Sequence, residues 1–106
     1  MEYNDYRVRF TKRAESDLYE IDDYISNELN ASIAAERFTD ALERAIGTLS
    51  FSPQGFPKVR DDRLAARGYR WIGVKNYMAF YTIDEQNKIV NVERILYGRR
   101  DWQRLL

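Results

Sequence analysis

The chain changes its hydrophobic period once, and that change constrains the fold more than any other feature. Over residues 12–29 the apolar positions Ala14, Leu18, Ile21, Ile25 and Leu29 recur at helical spacing. Ala34, Phe38, Ala41, Leu42, Ala45, Ile46 and Leu49 do the same up to about Ser50. Beyond Gly68 the period gives way to aromatic and β-branched runs at 69–75, 77–83 and 88–97, with 84–87 as a polar hairpin turn. A short alternating stretch, Tyr6-Arg7-Val8-Arg9-Phe10, precedes the first helix, and Thr11 is placed to cap it, with Glu15 just beyond. The expectation is an α+β fold in the order β-α-α-β-β-β. An N-terminal strand and an antiparallel helical hairpin pack on one face of a mainly antiparallel sheet, and a short tail or helical turn ends the chain.

At 106 residues, residues 1–106 are expected to form one domain with one core. The helix-facing side of the sheet is assigned to Ile72, Val74, Met78, Phe80, Val90 and Val92, and the opposite side to Trp71, Lys75, Tyr77, Tyr81 and Tyr97. Arg94 falls on the buried parity of this assignment, so strand twist or a bulge must intervene after Val92. Between helices and sheet, 51–57 holds both prolines and two phenylalanines expected to pin the loop to the core.

The chain has no cysteine and no histidine, which excludes zinc fingers, thiol nucleophiles and imidazole chemistry. Glu15, Asp17, Glu20, Asp22, Asp23 and Glu28 read as a solvated helix face, because helical spacing scatters them and no calcium-loop pattern accompanies them. No metal or cofactor is therefore expected. Without an apolar run of about 18 residues or an apolar N-terminus, the expectation is a cytoplasmic protein with no membrane partner.

A formal charge of zero conceals a polarised sequence. Residues 1–50 carry six basic residues against eleven acidic ones, and residues 51–106 carry eleven against six. One end of the molecule is expected to seek anions while the other stays acidic. Two basic clusters stand out: Lys58, Arg60, Arg63 and Arg67, in a loop or single helical turn, and Arg94, Arg99, Arg100 and Arg104 at the end of the last strand. Planar, permanently charged guanidinium groups at a sheet rim suit phosphate or carboxylate. With histidine absent, the proton carriers open to such a site are Tyr77, Tyr81, Tyr97 and Glu93, and neighbouring arginines would lower a tyrosine pKa. Each tyrosine has the alternative of packing the sheet.

The segments "RGYRWIGVKNYMAFYTID" and "VERILYGRRDWQRLL", following a strand and a helical hairpin, make the chain resemble the RelE/ParE superfamily of bacterial toxins over essentially its whole length. The matching residues are Tyr69, Arg70, Val74, Asn76, Tyr77, Phe80, Tyr81, Ile83 and Asp84, then Ile95, Leu96, Gly98, Arg99, Arg100 and Asp101. The resemblance implies the toxin of a type II toxin-antitoxin pair, with a cognate antitoxin as partner and self-association left open. Two activities compete under it: metal-independent cleavage of messenger RNA on the ribosome, which the available tyrosine and arginine cluster favours, and, as the alternative, inhibition of DNA gyrase without hydrolysis. On the nuclease reading Arg94, Tyr97, Arg99 and Arg100 carry the chemistry, and Lys58, Arg60, Arg63, Arg67, Arg70, Lys75, Tyr77 and Tyr81 bind nucleic acid or target. The near-neutral composition, with a sequence pI near 6.3, weighs against a ribosomal RNA binder. Trp102 and Leu105 either close over the protein's own core or meet the antitoxin, whose helix could also lie in a groove beside the helical hairpin. A third reading is a nontoxic antitoxin-binding module of the same fold.

Overall fold

The computed structural model describes residues 5–106. Strand β1, Arg7–Phe10, leads directly into helix α1, Lys12–Asp23, through Thr11, whose Oγ1 accepts the Ala14 N–H at 3.1 Å as the expected cap. A π-helical turn, Tyr24–Glu28, continues α1, and Asn30, at φ 50°, reverses the chain into α2, Ser32–Phe51. The basic segment contains one short helix, α3, Asp62–Ala66, capped by Asp61, which accepts the Leu64 N–H. Strands β2, Arg70–Val74, β3, Tyr77–Asp84, and β4, Ile89–Tyr97, follow, and a 3-10 turn, Trp102–Arg104, closes the chain.

The sheet order is β1-β4-β3-β2, with β1 parallel to β4 and the other pairs antiparallel. Both helices pack on one side of it, giving the expected α+β architecture. Among the described residues no helix is long and apolar enough to cross a membrane.

The side-chain assignment of the sheet needs correction. Tyr81 pairs with Val92 and Phe80 with Arg94, so Glu93 is an extra residue in β4 and its alternation flips there. This bulge lets Val90, Val92 and Ile95 all enter the helix-side core, and it takes Arg94 out of that core to the edge of the sheet. On β3 the faces are the reverse of those expected. Tyr77, Ala79, Tyr81 and Ile83 lie on the helix side, while Met78 and Phe80 lie on the other. The cause is a second core: Val59, Leu64, Tyr69, Phe80 and Leu96 are buried beneath α3 and the C-terminal turn. Both faces of β3 are covered, so hydrophobicity does not choose between its two parities. Tyr81 can sit fully buried because its hydroxyl donates to the Pro53 carbonyl at 2.6 Å.

Two further expectations fail for local reasons. Leu29 is 54% exposed, since the wider π turn carries it off the stripe that Ala14, Ile21 and Ile25 define. Phe51 is 78% exposed at the end of α2, so Phe56 alone of the two loop phenylalanines packs on the core.

Candidate functional site

Four of the exposed large apolar side chains, Tyr24, Leu29, Ile33 and Tyr97, line one feature. It is an open groove of about 930 Å³ between the turn of the helical hairpin and the β2–β3 end of the sheet. Phe38 and Tyr77 form its floor, in edge contact at 5.3 Å, and Tyr77 meets Tyr97 the same way at 5.7 Å. Arg37 and Lys75 stand among its lining residues as cations beside an apolar surface. The sequence supports this shape locally. Lys75 adopts φ 56° in the two-residue turn between β2 and β3, and the Gly98 N–H donates to the Asn76 carbonyl at 2.9 Å. A Cβ on Gly98 would come to 3.3 Å from that carbonyl, a tight approach that the neighbouring backbone would have to relieve by a small shift.

A smaller hollow shares Tyr24, Tyr77 and Tyr97 with the groove and continues it toward Glu20 and Arg100. Arg100 therefore stands at one end of a continuous surface that starts on the hairpin turn. Arg99 and Arg100 are exposed, and Tyr97 is 41% exposed.

Arg94 does not join them. Its Nε donates to Asp17 Oδ2 at 2.8 Å and its Nη2 to Asp17 Oδ1 at 3.0 Å, and its Nη1 reaches the Leu105 carbonyl at 3.1 Å. The two side chains are only 12% and 11% exposed. The carboxylate hydrogen-bonded to it holds the guanidinium pKa above its ordinary value. Asp17 is thus no part of a solvated acidic face. It lies on the buried stripe of α1, three residues after Ala14 and four before Ile21, and it also accepts the Ile95 N–H at 2.9 Å.

The remaining candidates disperse. Tyr81 is sealed in the helix-side core, and burial raises its pKa to about 12, against the opposing pull of Arg70. Tyr77 is raised as well, first by burial and then by the neighbouring hydroxyls of Tyr24 and Tyr97. At Tyr81 the expected lowering by arginine therefore loses to desolvation, and at Tyr77 every cause acts to raise the pKa. Glu93 accepts the Thr82 hydroxyl at 2.9 Å. Arg70 turns its guanidinium onto the Phe56 and Gln54 carbonyls. Of the second basic cluster, Arg63 reaches the C-terminal turn, donating to the Gln103 carbonyl at 3.4 Å, and Arg67 stacks over the Tyr69 ring at 5.6 Å. Lys58 and Arg60 are exposed beyond them, Lys58 bridging to Arg70 along the backbone. Trp102 and Leu105 pack on the second core, the Trp102 ring 5.2 Å from that of Phe80. Sequence reasoning misses Tyr24, Ile33 and Arg37 in the groove, and the signal for the first two is large apolar groups lying off their helix stripes.

Among the described residues no three carboxylates gather closely enough to hold a metal ion. No curated protein matches the chain in sequence. Its fold is that of several solved toxins. The RelBE2 toxin-antitoxin complex of Mycobacterium tuberculosis superposes with a TM-score of 0.63 at 23% identity, over 88% of this chain and 98% of that one. The chromosomal ParDE system of P. aeruginosa gives 0.68 at 18% identity, over 89% and 97%. A doubly substituted E. coli RelE in the free state gives 0.61 at 16%, over 96% and 99%. The family model for the ParE toxin of the type II toxin-antitoxin system parDE matches residues 8–102, nearly the whole chain. The chain belongs to the ParE toxin family and is a toxin of the RelE/ParE superfamily of type II toxin-antitoxin systems.

Proposed function

We propose that this toxin inhibits growth by gripping a macromolecular target rather than by cutting RNA, with DNA gyrase as the target that the ParE-like resemblance implies. The observation that carries this reading is the dispersal of the expected catalytic set. Metal-free RNA cleavage needs a proton acceptor, a proton donor and cations around one phosphate. Arg94 is committed to Asp17 and Leu105, Tyr81 is buried with its proton tightly held, and Tyr77 is packed against Phe38. What remains exposed together is Tyr97, Arg99 and Arg100. Two exposed guanidinium groups beside an aromatic ring suit recognition of a carboxylate or phosphate surface.

The apolar groove is the seat for the antitoxin. An amphipathic helix would lay its apolar side on Tyr24, Leu29 and Ile33 and direct acidic residues toward Arg37 and Lys75. The complexes of the M. tuberculosis and P. aeruginosa neighbours with their antitoxins support such a partner here. Because Tyr97 lines both the groove and the hollow that holds Arg100, an occupant of the groove would also crowd the target-binding arginines.

The nuclease reading keeps one specific support: Tyr97 and the two arginines are adjacent in sequence and exposed, as a ribosome-bound site would require. Purified toxin separates the two. The binding reading expects loss of supercoiling by gyrase and intact messenger RNA in a translating extract, with the gyrase effect absent in Arg99→Ala/Arg100→Ala. Cleavage of messenger RNA with undisturbed gyrase would overturn it. A wild-type chain that touches neither target and never slows growth would leave the nontoxic antitoxin-binding module.

A further inference from the structure

We propose that the Asp17–Arg94 pair is a positioning clasp for the C-terminal arm, residues 98–106, and that the placement of Arg99 and Arg100 depends on it. The functional half of this proposal rests on the reading of those arginines given above, whereas the mechanical half stands on geometry alone.

Strand β1 pairs with β4 only as far as Val92. Past that point the edge of β4 runs beside α1. Thr11 donates its hydroxyl to the Glu93 carbonyl at 2.9 Å, and Asp17 accepts the Ile95 N–H. Asp17 thus completes an interrupted ladder with a side chain. The same carboxylate fixes two nitrogens of Arg94 in a fork, which leaves Nη1 pointing at the Leu105 carbonyl. The bulge at Glu93 is what turns Arg94 to the side of the sheet where the arm lies.

The arm is consequently a bridge held at two ends. Its near end is the Gly98 N–H on the Asn76 carbonyl. Its far end is Trp102 on Phe80 together with Arg94 on Leu105. Arg99, Arg100 and Asp101 span the gap exposed to water. Loss of the Arg94 anchor weakens the far end and lets both arginines sweep a larger volume. Lysine cannot substitute, since one ammonium group has no planar fork with which to hold Asp17 and reach Leu105 in a fixed direction.

Hydrogen exchange of the full-length toxin tests the clasp. Asp17→Asn keeps an acceptor for the Ile95 N–H and nearly the same volume, and Arg94→Lys keeps the charge. Together they guard against a variant that simply unfolds. In both, exchange of the 102–106 amides should quicken about tenfold or more while Tyr77–Asp84 keeps its protection. In parallel, the growth inhibition shown by the wild type should fall. Unchanged exchange in the arm, or an equal rise in every segment, would overturn the clasp and leave the pair a general stabiliser. A wild type without toxicity would refute the functional reading alone, since the exchange result is read independently of it.

Discussion

Among the described residues, fourteen buried side chains close the helix side of the sheet, whereas five close the other side, beneath a five-residue helix and a three-residue turn. The first side is built from long elements whose apolar stripes repeat many times. The second is built from short pieces, each of which contributes one or two anchors: Leu64 from α3, Trp102 from the turn, Tyr69 and Val59 from the strand approach. Change is therefore easier on the second side. A face with many redundant contacts resists local opening, and a face with few anchors can release a segment while the rest stays folded. Arg99 and Arg100 are carried by the second kind.

The largest effect should come from the side chain that joins the two sides. Arg94→Ala leaves Asp17 buried with its charge uncompensated and releases Leu105, and a loss of about 3–5 kcal/mol in unfolding free energy is expected from denaturant titration. A loss below about 1 kcal/mol would mean the pair behaves as a surface bridge.

Next, Leu49→Ala and Leu64→Ala, both nearly fully buried, should each cost about 2–5 kcal/mol but in different ways. Leu49→Ala should lower the stability of the whole fold. Leu64→Ala should in addition open the C-terminal arm first, seen as early proteolytic cleavage after Arg99, Arg100 or Arg104. Identical cleavage patterns in the two variants would erase the distinction between the faces.

Alkaline pH probes the helix side through Tyr81. Its folded pKa of about 12 lies above the ordinary value of 10, so the unfolded chain loses this proton first. The stability that Tyr81 contributes is complete below pH 10 and falls as pH rises from 10 to 12, by on the order of 2 kcal/mol. Tyr81→Phe should flatten that slope in denaturation curves followed across the range. It should also cost about 1–3 kcal/mol at neutral pH, because the Pro53 carbonyl loses its donor.

The smallest effect on stability belongs to the groove. Ile33→Glu alters a side chain that is 64% exposed, and the unfolding free energy should move by less than about 0.5 kcal/mol. Affinity for the cognate antitoxin, read by calorimetry, should nevertheless drop roughly tenfold or more, as loss of an apolar interface anchor does.

The helices, their Thr11 cap and the strand meander are legible in the sequence because each is encoded by local period and local capping. The bulge is half legible: Arg94 on a buried parity signals that the alternation has to break, but its place at Glu93 needs the pairing with β3. Asp17 escapes notice, although it shares the stripe of Ala14 and Ile21. Counting it with the other acids hides that an acid and an arginine, 77 residues apart, each sit in an apolar position. The swapped faces of β3 are illegible from alternation alone, since both parities are apolar and the second core is assembled from distant segments. The groove beside the hairpin is anticipated, but its lining escapes because a π turn, absent from any helical period, moves Leu29 into it.

The most direct test of the central claim is pulse labelling of DNA and protein synthesis in bacteria within minutes of inducing the toxin without its antitoxin. Inhibition by target binding through Arg99 and Arg100 predicts that DNA synthesis fails first and that Arg99→Ala/Arg100→Ala abolishes the effect. Collapse of protein synthesis ahead of DNA synthesis would contradict it and restore Tyr97 and the two arginines as candidates for cleaving messenger RNA.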